Sequence, residues 1–147
     1  MSDYRRANAK GGTYFFTVVT YRRQAFLCYE RVRSALREGI KAAQLTNPFT
    51  IDAWVLLPDH LHTIWTLPPD DADFGIRWAL IKRFVTKQCN PEFKREDWLN
   101  PSKLKRKEST IWQRQYVGWI SAAHPLNSII PNDGCVALIH PTCLLHS

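Results

Sequence analysis

Short apolar stretches alternate along the chain with basic segments of helical period, and that alternation outlines a small α+β domain. "GGTYFFTVVTY" (11–21) is aromatic and β-branched behind a double glycine, which predicts a strand. From Tyr29 to Gln44, Val32, Leu36, Ile40 and Ala43 recur at helical spacing, with Arg31, Arg33, Arg37 and Lys41 spread over the remaining surface. Gly39 weakens that helix without abolishing it. "PFTIDAWVLLP" (48–58) and "HLHTIWTL" (60–67) are apolar runs separated only by the turn at Pro58 and Asp59, an antiparallel hairpin. A second helix is predicted over 70–88. Asp73 is its N-cap, Asp70 and Asp71 complement its dipole, and Trp78, Ile81 and Val85 form its apolar face. Arg77, Lys82, Arg83 and Lys87 make most of the rest basic. The charged stretch 90–110, broken by Pro91 and Pro101, predicts an exposed loop.

The order β-α-β-β-α with a central hairpin matches a ferredoxin-like or RNA-recognition-type α+β sandwich, an antiparallel sheet with two helices on one face. Its fourth strand has one candidate before residue 117, "STIWQRQY" (109–116). Trp54, Trp65 and Trp78 lie in apolar periodic runs and are expected in the core.

Charge changes the picture in two ways. The 147 residues carry 20 Lys and Arg against 13 Asp and Glu, a net +7, which suits either a polyanionic partner such as nucleic acid or simple solubility. All the basic residues lie between Arg5 and Arg114, whereas residues 117–147 hold a single formal charge, Asp133. That tail shows no sustained period and is interrupted by prolines, so the expected organisation is a domain over 1–116 and an atypical segment over 117–147. Its His124, His140 and His146 fit no metal spacing. The 4 cysteines form neither a CxxC nor an even ladder. Neither a secretory signal nor an apolar membrane-length run is present, and a cytoplasmic location is expected.

Two histidines stand apart. His60 and His62 share one face of their strand, roughly 7 Å apart by Cα at twice the strand rise. Two imidazoles so placed can converge on one divalent ion, at metal–nitrogen distances of about 2 Å, without burying charge. An isolated HxH is a weak motif, and the pair could equally be hydrogen-bonded strand residues at the mouth of a hairpin. Asp59, just before them, could serve the turn or orient a ring.

"DYRR…GGTYFFTVVTYRR", "PFTIDAWVLLPDHLHTIWTLPPDDADF", "RWALIKRFVTK" and "IWQRQY", in this order from about Asp3 to Tyr116, resemble the REP-associated tyrosine transposases. These are a branch of the single-tyrosine HUH transposases, which act on single-stranded DNA, and "PDHLH" is similar to their His-hydrophobe-His signature. The resemblance implies that His60 and His62 hold Mg²⁺ or Mn²⁺ against a scissile phosphate, while a C-terminal tyrosine attacks phosphorus. It implies hairpin DNA as partner, with a second copy of the chain (a homodimer) in some branches. Arg5, Arg6, Lys10, Gly11, Gly12, Arg22 and Arg23 are the expected DNA contacts.

The resemblance stops after Tyr116, where the family continues into a basic helix carrying the nucleophile and a further metal ligand. Tyr4, Tyr14, Tyr21, Tyr29 and Tyr116 are the tyrosines present, none in that context, so no catalytic residue is assigned and metal binding is expected to be weak. The break coincides with the change in charge, which points to a frameshift or truncation in an ancestral gene. The expected function is therefore nicking and rejoining of hairpin DNA, impaired here. The alternatives are a non-catalytic hairpin-binding module or an RNA-binding domain with an incidental HxH.

Overall fold

The computed structural model describes residues 10–113 and the backbone of Val117–Ile120. Strand β1 (Thr13–Val19) is followed by a single 3₁₀ turn at Tyr21–Arg23 and by helix α1 (Glu30–Thr46). The hairpin β2 (Thr50–Leu56) and β3 (His60–Thr66) comes next, then α2 (Phe74–Phe93), a 3₁₀ turn, the short α3 (Pro101–Lys105) and β4 (Val117–Ile120). The sheet is antiparallel in the order β2-β3-β1-β4, so the two strands with the strongest apolar alternation take the middle. This is the α+β sandwich that the sequence predicts.

Period-two burial sets the layers. Tyr14, Phe16 and Val18 of β1 and Leu61 and Trp65 of β3 are buried against α1 and α2. Trp54, Trp65 and Trp78 are all at most 2% exposed, as expected of core residues. The buried face of α1 is Val32, Ala35, Leu36, Gly39, Ile40 and Ala43. Gly39 has a packing reason to interrupt it: a Cβ there would lie 3.3 Å from the Phe84 ring, so its absence lets α2 approach. Asp73 caps α2 by accepting from the Ile76 N–H at 3.0 Å.

Three expectations need correcting. The fourth strand is Val117–Ile120; of the expected 109–116, the described residues 109–113 form no strand and touch the sheet through an isolated bridge of Trp112 with Thr20. Val117, at the start of the charge-poor segment, pairs with Thr17 of β1. The expected loop 90–110 begins as the last turn of α2. Pro91 is tolerated there because it sits near the C-terminal end, where Lys94 N–H still reaches Asn90 O at 3.1 Å. Pro101 then opens α3 at a position where its missing N–H is no loss, behind the Asn100 cap.

Arg77, finally, is fully buried and not part of a basic surface. Its guanidinium donates to the carbonyls of Asn47, Pro48 and Asp73 and pairs with Asp71 at 2.7 Å, tying α2 to the loop before β2. A helical wheel assigns a face but cannot foresee that three carbonyls and a carboxylate would gather around it. Among the described residues no helix is long and apolar enough to cross a membrane.

Candidate metal centre and nucleic-acid interface

The face of the sheet away from the helices carries Thr13, Phe15, Thr17 and Val19 from β1 beside His60, His62, Ile64 and Thr66 from β3, all partly exposed. Both histidines therefore share the open face, as their spacing requires. Their ring centroids are 5.0 Å apart with the planes at 80°.

Each ring is held by a different partner. Thr17 sits directly opposite His62 in the β1–β3 register, and its Oγ1 lies 2.9 Å from His62 Nδ1. Phe15 stacks on the same ring with centroids 5.6 Å apart. His60 Nδ1 is 2.6 Å from Asp59 Oδ1, and the other oxygen of that carboxylate pairs with Arg23 at 3.4 Å. With Nδ1 engaged on both rings, Nε2 is the nitrogen left for a ligand, the arrangement usual for metal-binding imidazoles. Burial, with a smaller contribution from neighbouring His60, holds the His62 pKa below its ordinary value, so this imidazole is neutral and able to ligate at pH 7. Asp59 is held below the usual carboxylate range, first by its hydrogen bond with His60 and then by the charges of His60 and Arg23, against an opposing effect of burial. Asp59 serves the turn as well, because its carbonyl accepts from Thr20 N–H and Oγ1.

The pair can offer two nitrogen ligands. Among the described residues no group of three His, Cys, Asp or Glu side chains gathers as a metal site would require. Of the tyrosines, Tyr14 is buried in the core on the other face, Tyr21 lies under the Lys103 ammonium at 4.0 Å, and Tyr29 packs on Phe93. Tyr4 and Tyr116, like His124, His140 and His146, lie outside the described residues.

The expected DNA contacts fall at opposite ends of β1. Arg22 and Arg23 follow its C-terminal end, the end paired with His60. Lys10, Gly11 and Gly12 precede Thr13, which is four residues from Thr17, roughly 13 Å of strand. Gly11 has φ +67° and donates its N–H to Asp71 O at 2.9 Å. A Cβ there would come within 2.9 Å of the Pro69 backbone, so glycine is needed for this close approach whatever else it does. Its N–H is thus spent within the fold. The Gly12 carbonyl accepts from Leu67 N–H at 3.1 Å. Arg5 and Arg6 lie outside the described residues. Sequence reading missed Thr17 as the partner of His62, since no local signal gives the register between distant strands. It also missed Trp98, whose ring lies 4.8 Å from the Arg22 guanidinium and 4.7 Å from that of Arg95.

No family model matches the chain. A REP-associated tyrosine transposase of Escherichia coli strain K12 is 47% identical over 89 residues, covering 60% of this chain and 53% of that protein. A Haemophilus influenzae protein provisionally given the same name is 36% identical over 116 residues, covering 79% of this chain and 64% of that one. This chain is a relative of the REP-associated tyrosine transposases. The matched part spans between about half and two thirds of the length of these curated relatives. A solved structure of a REP-associated tyrosine transposase bound to a REP hairpin is 37% identical. It aligns with a TM-score of 0.66 over 84% of this chain and 64% of its own. A Deinococcus radiodurans protein provisionally named a transposase shares the fold, with a TM-score of 0.54 at 18% identity over 84% of this chain and 88% of its own.

Proposed function

We propose that this chain binds hairpin DNA with its open sheet face, and that His60 and His62 hold a divalent cation, Mg²⁺ or Mn²⁺, against the DNA backbone. The observation that carries the reading is the pair of neighbouring imidazoles, each with Nδ1 engaged and Nε2 left for a ligand. The relation to a protein solved with a REP hairpin supplies the class of partner. When bound, the cation would act as a Lewis acid on a phosphate oxygen. The protein's own share is orientation. Asp59 sets the tautomer and direction of His60, Thr17 fixes the direction of His62, Phe15 keeps His62 from turning, and Arg23 helps keep Asp59 ionised.

Residues 117–147 contain no tyrosine, and Tyr14, Tyr21 and Tyr29 are engaged elsewhere. Tyr4 and Tyr116 stand in none of the family's nucleophile context, so the proposed binding is non-covalent. Two ligands in place of a full shell give weak, Mn²⁺-dependent reinforcement of binding.

A labelled hairpin oligonucleotide, with and without Mn²⁺, tests both parts. The expected result is a retarded complex strengthened by Mn²⁺, no adduct that survives denaturation, and loss of the Mn²⁺ effect in His60→Ala/His62→Ala. Absence of binding overturns the reading, a surviving adduct overturns its non-covalent part, and an unchanged Mn²⁺ effect in the double variant removes the metal site. One observation favours an RNA-binding alternative: Phe15 lies on the open face, where a base could stack. Equal affinity for single-stranded RNA and hairpin DNA would support that alternative.

A further inference from the structure

The two adjacent arginines after β1 do not have the same surroundings. Both are exposed, and both hold left-handed backbone conformations, φ 52° at Arg22 and 56° at Arg23, which non-glycine residues rarely adopt. The turn that imposes them is clamped from several sides. Thr20 N–H and Oγ1 both donate to Asp59 O, Tyr21 N–H donates to Ile111 O, and the Gln24 amide reaches Thr110 O at 2.9 Å. The outcome differs sharply between the two side chains. Arg23 spends its charge on Asp59, the carboxylate that orients His60. The Arg22 guanidinium makes no hydrogen bond or ion pair among the described residues; it lies 4.8 Å from the Trp98 ring centroid and 5.7 Å from that of Tyr21, and its charge reaches the Asp97 carboxylate that Arg95 already pairs. This second guanidinium, Arg95, lies 4.7 Å from the Trp98 ring and is paired through both nitrogens with Asp97.

A guanidinium resting on an aromatic ring keeps its N–H donors at its edge, in the fork that matches a phosphate, and has little side-chain freedom left to lose on binding. Strained backbone held in place by surrounding hydrogen bonds is also how binding sites are often built. We propose that Arg22, seated on Trp98, is a preformed clamp for one phosphate of the DNA backbone beside the His60–His62 site, whereas Arg23 is a positioning residue that acts through Asp59 and contacts no DNA. This rests on the hairpin-binding reading and divides between two residues a role that the sequence gives to both.

The test measures affinity for a fluorescein-labelled hairpin DNA with a single-stranded 5′ extension, by anisotropy across a salt series. Arg22→Ala should weaken binding by about tenfold, the scale of one charge-assisted contact, and lower the slope of log affinity against log salt by roughly one phosphate. Trp98→Leu should weaken binding in the same direction by a smaller factor, and adding it to Arg22→Ala should cost nothing more, because the ring acts only through the guanidinium. Arg23→Ala should leave the salt slope unchanged and reduce the Mn²⁺ effect. An unaltered slope in Arg22→Ala, or additive losses in the double variant, overturns the clamp. A lowered slope in Arg23→Ala overturns the division of roles. Wild-type protein that binds no hairpin at all refutes the hairpin-binding reading itself, and this proposal with it. Circular dichroism of each variant separates these outcomes from unfolding.

Discussion

The two faces of the β1–β3 pair are built from alternate residues of the same strands, yet they do opposite work. On one, Tyr14, Phe16, Val18, Leu61 and Trp65 are sealed under the helices. On the other, Thr17, His60 and His62 engage one another and Asp59 while remaining partly open to water. Stability resides on the first face and the proposed binding site on the second, so the two should respond separately to substitution.

The largest effect should come from the covered side. Phe16 is fully buried and touches the rings of Trp65, Phe74 and Trp78, so Phe16→Ala should cost about 3–5 kcal/mol and abolish cooperative thermal unfolding at ordinary temperatures. Arg77→Met should come next, at about 3 kcal/mol in chemical denaturation, because it leaves three carbonyls and the Asp71 carboxylate without their donor. A stable Arg77→Met protein would mean that water replaces the guanidinium.

Lys82, partly buried on α2 near Trp112, should give an effect that depends on pH. Burial lowers its pKa from the ordinary 10.5 to about 8. Below pH 8 both folded and unfolded states are protonated and the folded state bears the full cost of a desolvated charge. Between pH 8 and 10.5 the folded state gives up its proton while the unfolded state keeps it, so stability rises with pH, by up to roughly 3 kcal/mol. Denaturation midpoints in that window should lose this rise in Lys82→Met.

The open face should contribute least to stability. His60→Ala/His62→Ala should change unfolding by less than about 1 kcal/mol. Thr17→Val, which keeps the shape and removes the hydroxyl, should leave stability nearly unchanged yet lower Mn²⁺ affinity about tenfold, as measured by calorimetry. Loss of the fold in either variant would contradict the separation of the two faces.

The sequence shows one of these faces more clearly than the other. Alternation in "TYFFTVV" and "HLHTIWT" is enough to sort core from open positions, and helical spacing finds Val32, Leu36, Ile40 and Ala43 of the buried face of α1 and Trp78, Ile81 and Val85 of that of α2, but not Ala35, Phe74 or Cys89. The histidine pair is visible for the same reason, because side-chain period places i and i+2 together. Of what holds the pair, Asp59 is visible beside His60, but the partner of His62 is not. Thr17 lies 45 positions away from His62, and only the pairing of β1 with β3 brings them opposite. Ile111 and Trp112 mislead the placing of the fourth strand because they are apolar and buried without belonging to a strand, whereas the observed strand begins inside the charge-poor segment. Arg77 was misplaced because helical period reports which side a residue takes, not which carbonyls wait there.

The hairpin turn at Pro58 and Asp59 is gripped on both sides, by Thr20 through Asp59 O and by Leu27 through Pro58 O. A slip of a single position along β3 would invert every side chain, driving both imidazoles into the oily interior and turning Leu61 and Trp65 out to solvent. That grip therefore works as a ratchet pawl: it permits one setting of the strand, and the two imidazoles lie on the open face only at that setting.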